Sequence, residues 1–161
     1  MFGVGEFVVY KNDVCIIKEI KNDNYLNKDC YILKPINDDT LSIQVPVDNK
    51  KGFIKNIIQA KDAIKLMDSI ASIEPIKSNN KITESDYKNL LNTNSKADLI
   101  KIIKTTYLEI SKRKKVGKKE REVDSDYLEK SLNLLCDELS ISLKDNTENI
   151  KSFILEKLEN A

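Results

Sequence analysis

Between residues 6 and 47, hydrophobic and polar positions alternate with a period of two. The runs EFVVY (Glu6–Tyr10), VCIIKEI (Val14–Ile20), CYILK (Cys30–Lys34) and LSIQVPV (Leu41–Val47) are rich in β-branched and aromatic residues, which suit a pleated, half-buried surface. Turn residues separate them: KND at 11–13, KNDN at 21–24 and NDD at 37–39. Four short strands at this spacing predict a small, strongly bent antiparallel sheet or barrel, with a fifth, very short strand around Phe53–Ile54. In LSIQVPV, Leu41, Ile43, Val45 and Val47 make one apolar face, while Pro46 stands on the polar face without a backbone donor. A central strand would not tolerate that loss, so the segment is expected at a sheet edge.

After Gly52 the period lengthens to nearly four. AKDAIKLMDSIAS (Ala60–Ser72) places Ile64, Met67, Ile70 and Ala71 on one face of a predicted amphipathic helix. Pro75 and two asparagines within Ile73–Lys81 then interrupt it, giving a hinge or linker. Thr83, followed by acidic residues, is a helix start. Ser95 caps a longer helix whose stripe is Leu99, Ile102, Ile103, Thr106, Tyr107 and Ile110, and Gly117 ends it. Two more helices come after it. Ser125–Leu143 presents Leu128, Leu132, Leu135 and Leu139; Thr147–Asn160 presents Ile150, Phe153, Ile154 and Leu158. The predicted fold class is α+β, a β module over residues 1–56 followed by a helical bundle over 57–161.

Composition narrows the chemistry. Of 161 residues, 40% are hydrophobic and 33% charged, a globular balance. No apolar run is long enough to span a membrane and the N-terminus lacks a basic-then-apolar signal pattern, so a cytoplasmic protein is expected. There is no histidine, which removes the commonest general base and metal ligand. Cys15, Cys30 and Cys136 lie inside apolar patterns with no CxxC spacing, so packing is their expected role. With four glycines, neither VGKK (116–119) nor VGEF (4–7) completes a phosphate loop or a dinucleotide fingerprint. No catalytic residue, metal, cofactor or small-molecule substrate is expected, and an enzyme is not.

The net charge of +1 conceals an asymmetry. Residues 76–121 carry 13 basic and 5 acidic side chains, and residues 122–161 carry 4 basic and 10 acidic. The middle could face a polyanion and the end would resist one. Lys112, Arg113, Lys114, Lys115, Lys118, Lys119 and Arg121 form the densest tract. It is either a solvated helix–helix turn or a phosphate contact, and without interleaved aromatics it offers no base stacking. The proline-bearing strand is likewise either an edge blunted against aggregation or one that accepts a partner's strand.

VGEFVVYKNDVCIIKEI, then CYILKP, then LSIQVPVDN resembles the CarD/CdnL family of bacterial transcription regulators. The same module occurs in the polymerase-binding domain of transcription-repair coupling factors. Gly5-Glu6, Val8-Val9-Tyr10, Tyr31-Ile32-Leu33 and Val45-Pro46-Val47-Asp48-Asn49 carry the likeness, and the helices agree in number and order. The resemblance implies a small Tudor/SH3-like β-barrel module that docks on the RNA polymerase β subunit through its exposed edge. It places Ser42, Gln44, Val45 and Pro46 at that contact. The helical domain would meet promoter DNA weakly and without sequence reading, touching its backbone through Lys77, Lys81, Lys88, Lys112, Arg113 and Lys115, with Thr83 at the DNA-facing wedge position. The effect would fall on open-complex lifetime.

Three departures matter. The turn after Tyr10 is a residue short, with Asp13 where glycine is common and a left-handed backbone is expected. Gln44 replaces a frequent basic residue. Thr83 aligns with a tryptophan wedge, and this chain has no tryptophan, so weaker open-complex stabilisation is expected. Two alternatives stay open: a polymerase adaptor or competitor that does not touch DNA, and a free-standing Tudor-like RNA- or peptide-binding module.

Overall fold

In the computed structural model, which describes residues 1–23 and 27–160, the alternating segments pair into one antiparallel sheet. Its strands are β1 (Phe7–Tyr10), β2 (Asp13–Asp23), β3 (Lys28–Pro35), β4 (Ile43–Pro46) and β5 (Ile54–Asn56). The order across the sheet is β4-β3-β2-β1-β5, so β4 and β5 are the two edges and the sheet is open. Five helices come next: α1 (Ala60–Asp68), α2 (Glu84–Leu91), α3 (Lys96–Lys115), α4 (Glu122–Leu143) and α5 (Thr147–Glu159). The fold class is α+β. The chain divides into two compact units, Met1–Ile57 and Ile58–Ala161.

In the sheet unit, Val8, Cys15, Ile17, Tyr31, Leu33, Val45 and Ile54 are buried together. Strand β2 runs into the expected KNDN turn as far as Asp23, because its polar end pairs with β3 through the backbone, down to Asp23 opposite Lys28. Asn24, at the end of that expected turn, lies outside the described residues. Register shifts between Ile17 and Glu19, so Lys18 is an extra residue that bends the strand.

Two expectations for this unit are corrected. The left-handed residue of the β1–β2 turn is Lys11, at φ 57°, whereas Asp13 is already in β2 opposite Tyr10. Leu41 precedes β4 and is 46% exposed, since pairing with β3 reaches only Ile43 opposite Leu33.

The helical unit has its main core between α1, α3, α4 and α5, where Met67, Ile103, Leu135, Leu139, Ile150 and Ile154 are buried. A smaller cluster of Ile82, Tyr87 and Ile102 seats α2. Of the expected face, Met67 in α1 and Ile70 just after it are buried, but Ile64 is 54% exposed and Ala71 is exposed, and Ala63 is buried instead. The buried stripe of Ala63, Met67 and Ile70 follows i, i+4 and i+7 spacing. Residues 73–81 are non-helical as expected but are pinned: the Ile76 N–H donates to Thr105 Oγ1 at 2.9 Å. Lys104 is buried, with Nζ donating to the carbonyls of Ile70 (2.7 Å), Ala71 (3.1 Å) and Ile73 (2.7 Å). Burial lowers its pKa. Helix α4 begins at Glu122, three residues before the expected Ser125, because Arg121 and Asp124 build its first turn. Gly117, at φ 72°, ends α3, with the Lys118 N–H returning to the Arg113 carbonyl at 2.9 Å.

Candidate functional site

The first candidate surface is the edge strand β4. Val47 N–H donates to the Asp29 carbonyl at 3.0 Å. With Pro46 opposite Cys30 and Val45 opposite Tyr31, antiparallel alternation turns the backbone of Ile43, Val45 and Val47 toward β3. Pro46 falls on the alternate set, so its missing N–H costs the ladder nothing. Among the expected docking residues, Ser42 and Gln44 are exposed and Pro46 is half-buried. Val45 is 5% exposed and its side chain belongs to the core.

One side chain holds the segment after β4. Asn49 sits at φ 47° and uses its amide on both backbone groups of Ile54: Nδ2 donates to the carbonyl at 2.9 Å, and Oδ1 accepts from the N–H at 3.2 Å. Ile54 is paired with Tyr10 of β1 on its other side. The asparagine amide thus stands in for a missing neighbour strand and ties the end of β4 to β5. Beside it lies a groove of about 320 Å³, lined by Tyr10, Gln44, Pro46 and Phe53 with Lys28, Lys50 and Lys51 at its rim. Tyr10 and Phe53 meet edge to face at 6.2 Å between centroids, and Lys11 Nζ lies 5.5 and 5.8 Å from those two rings.

The second candidate surface is in the helical unit. Lys81, Lys88 and Lys115 are exposed. Lys77 is paired with Glu74 at 2.6 Å, and its hydrogen bond and charge hold that carboxyl below its usual range. Lys112 lies 3.6 Å from Glu109, and Arg113 Nε donates to the Lys119 carbonyl at 2.7 Å. Thr83 caps α2: Asp86 Oδ2 accepts from the Thr83 N–H at 2.8 Å and from its hydroxyl at 3.2 Å. The threonine at this position is therefore a helix start, with its donors turned back on its own helix.

The tract loses one of its expected cations. Arg121 is not a free charge: Nε and Nη2 each donate to an Asp124 oxygen at 2.8 Å, and Nη1 donates to the Ile82 carbonyl at 2.8 Å. Tyr87 completes the group, its hydroxyl donating to Asp124 Oδ1 at 2.7 Å. Asp124 and Tyr87 have no exposed surface. Burial first, and then the Asp124 carboxylate, push the Tyr87 pKa upward, while the Asp124 hydrogen bond raises that of Arg121. The bond from Arg121 to Ile82 brings the end of the basic tract to the segment that carries Lys81 and Thr83. Sequence patterning misses Asp124 and Tyr87, because a buried carboxylate at a helix start has the same signature as an exposed first-turn acid.

Among the described residues, no three His, Cys, Asp or Glu side chains cluster as a metal site would require. No described helix is long and apolar enough to cross a membrane. No family model matches the chain, and no curated protein matches it.

Proposed function

We propose that the chain is a CarD/CdnL-like regulator of transcription, whose sheet unit is a Tudor/SH3-like module that docks on the β subunit of RNA polymerase. The observation that carries this reading is the β4 edge, a strand paired on one side that offers Ser42 and Gln44 and ends at Pro46. The strand order, and the Asn49 amide that links the end of β4 to β5, support a barrel-like closure of the module. In this reading backbone hydrogen bonding supplies affinity and alternate side chains supply selectivity.

The helical unit then meets promoter DNA through phosphates, with Lys81, Lys88 and Lys115 among its exposed cations. Such contacts carry charge and orientation but no sequence information. The chain acts without catalysis, on the lifetime of the open promoter complex. A second reading keeps the polymerase and omits DNA, as an adaptor or competitor; the withdrawal of Arg121 from the basic tract by its pairing with Asp124 favours it.

A competitor-challenge assay on preformed promoter complexes separates the two. The DNA-contacting reading expects a modest increase in lifetime from the wild-type chain and a larger one from Thr83→Trp, which restores an apolar wedge. Polymerase binding with no change in lifetime from either protein would leave the adaptor reading.

A further inference from the structure

The exposed candidate cations come from two stretches of chain, residues 77–88 and 112–119, and the residues just after the second stretch are tied to the first at one junction. Its parts are the Arg121 guanidinium, the Asp124 carboxylate, the Tyr87 hydroxyl and the Ile82 carbonyl, joined by four hydrogen bonds of 2.7–2.8 Å. Three of the four anchors lie close to exposed cations in sequence. Lys81 precedes Ile82, Lys88 comes after Tyr87, and Lys118-Lys119 lie just before Arg121. Helix α2 is eight residues long and Tyr87 is its one buried side chain. Its orientation therefore depends on where that ring and hydroxyl are held.

A buried ion pair is a poor way to gain stability, because desolvating both charges offsets most of their attraction. Its advantage here is directional. One planar guanidinium fixes both oxygens of Asp124 and the backbone of the opposing segment together. The Arg121 side chain is 15% exposed and three of its nitrogens are engaged inside the protein, so it is poorly placed to meet phosphate itself.

Resting on the DNA-contacting reading above, we propose that Arg121, Asp124 and Tyr87 are positioning residues that join the two cationic stretches into one phosphate-binding surface. Phosphates along a duplex are at fixed spacings, so several are neutralised together only when the cations are held in a fixed relation. The number neutralised is what the salt dependence of binding counts, at a slope of about 0.9 per phosphate.

The test uses the full chain and a short DNA duplex of mixed sequence, with affinity measured across salt concentrations. In the wild-type background, Lys81→Ala with Lys88→Ala is expected to lower the slope by about 0.9 for each phosphate that is no longer neutralised. In an Asp124→Asn background the same two substitutions are expected to change the slope by less than half as much, because the lysines are no longer held in place with the tract. Tyr87→Phe retains the ring, which packs 5.3 Å from Tyr127, and removes only the hydroxyl; it is expected to weaken the coupling partway. Helical circular dichroism is followed alongside, and if Asp124→Asn does not fold, Tyr87→Phe alone decides. Equal slope losses in the wild-type background and in the Asp124→Asn and Tyr87→Phe backgrounds would overturn the positioning role while leaving DNA contact standing. Absence of salt-dependent binding by the wild-type chain would overturn both.

Discussion

The two units solve the same problem, the placement of buried polar groups, by different means. In the sheet unit the ladder satisfies most of the backbone, and one neutral side chain, Asn49, serves Ile54 where a neighbouring strand is missing. In the helical unit the irregular segments are held by charges taken into the interior. Lys104 gathers three carbonyls at the end of α1, and Asp124 holds Arg121 and Tyr87 at the start of α4. Glu138 accepts from the Ile58 N–H at 2.9 Å while lying 3.1 Å from Lys96. A neutral amide that loses a bond leaves a modest deficit, whereas a buried charge that loses its partner leaves a large one. The helical unit should therefore be the more brittle of the two.

The largest expected effect is at Asp124. Asp124→Ala strips the partner from a largely buried guanidinium and from a buried hydroxyl, and should destabilise by about 3–5 kcal/mol in urea unfolding. A loss below about 1 kcal/mol would mean that both groups find water, and the contrast between the units would disappear. Next comes Lys104→Met, which preserves the apolar stem but leaves three carbonyls without their shared donor. About 2 kcal/mol is expected, with faster hydrogen exchange around residues 70–76.

Asn49→Ala should cost about 1–2 kcal/mol through the loss of two hydrogen bonds and an unfavourable left-handed backbone. Exchange at the Ile54 amide should rise while the helical unit is unaffected. The smallest effect is in alkaline solution. Because the folded pKa of Tyr87 is raised by burial and by Asp124, its contribution is fully present below the unfolded value of about 10. It is lost as pH rises above that point. Wild-type stability should accordingly fall more steeply above pH of about 10 than that of Tyr87→Phe, when each is compared with its own value near neutrality.

The same contrast explains what can be read from the sequence. Period-two alternation locates the strands because a sheet with one buried face imposes it directly, and Pro46 identifies an edge because a central ladder needs every donor. Leu41 is misplaced by the pattern because apolarity continues past Ile43, where the β3 residue in register with Leu41 is Pro35, which has no N–H to donate. In α1, the stripes through Ala63 and through Ile64 are one residue apart, and over nine residues the pattern favours the larger side chain while packing favours the smaller. The buried charges are illegible for a different reason. Lys104, Asp124 and Glu138 occupy positions that amphipathic patterning assigns to solvent, and only the tertiary neighbours reveal that they face inward. For the candidate surfaces, the edge is visible in sequence, but the removal of Arg121 from the basic tract is not.

The central claim is that the β4 edge is a polymerase dock, and it is tested most directly by titrating the full chain against the isolated β-subunit lobe of RNA polymerase. One-to-one binding is expected, strengthened about fivefold by Gln44→Arg, equivalent to about 1 kcal/mol, with unfolding stability unchanged. No binding by either protein, or binding insensitive to every substitution at Ser42 and Gln44, would contradict it.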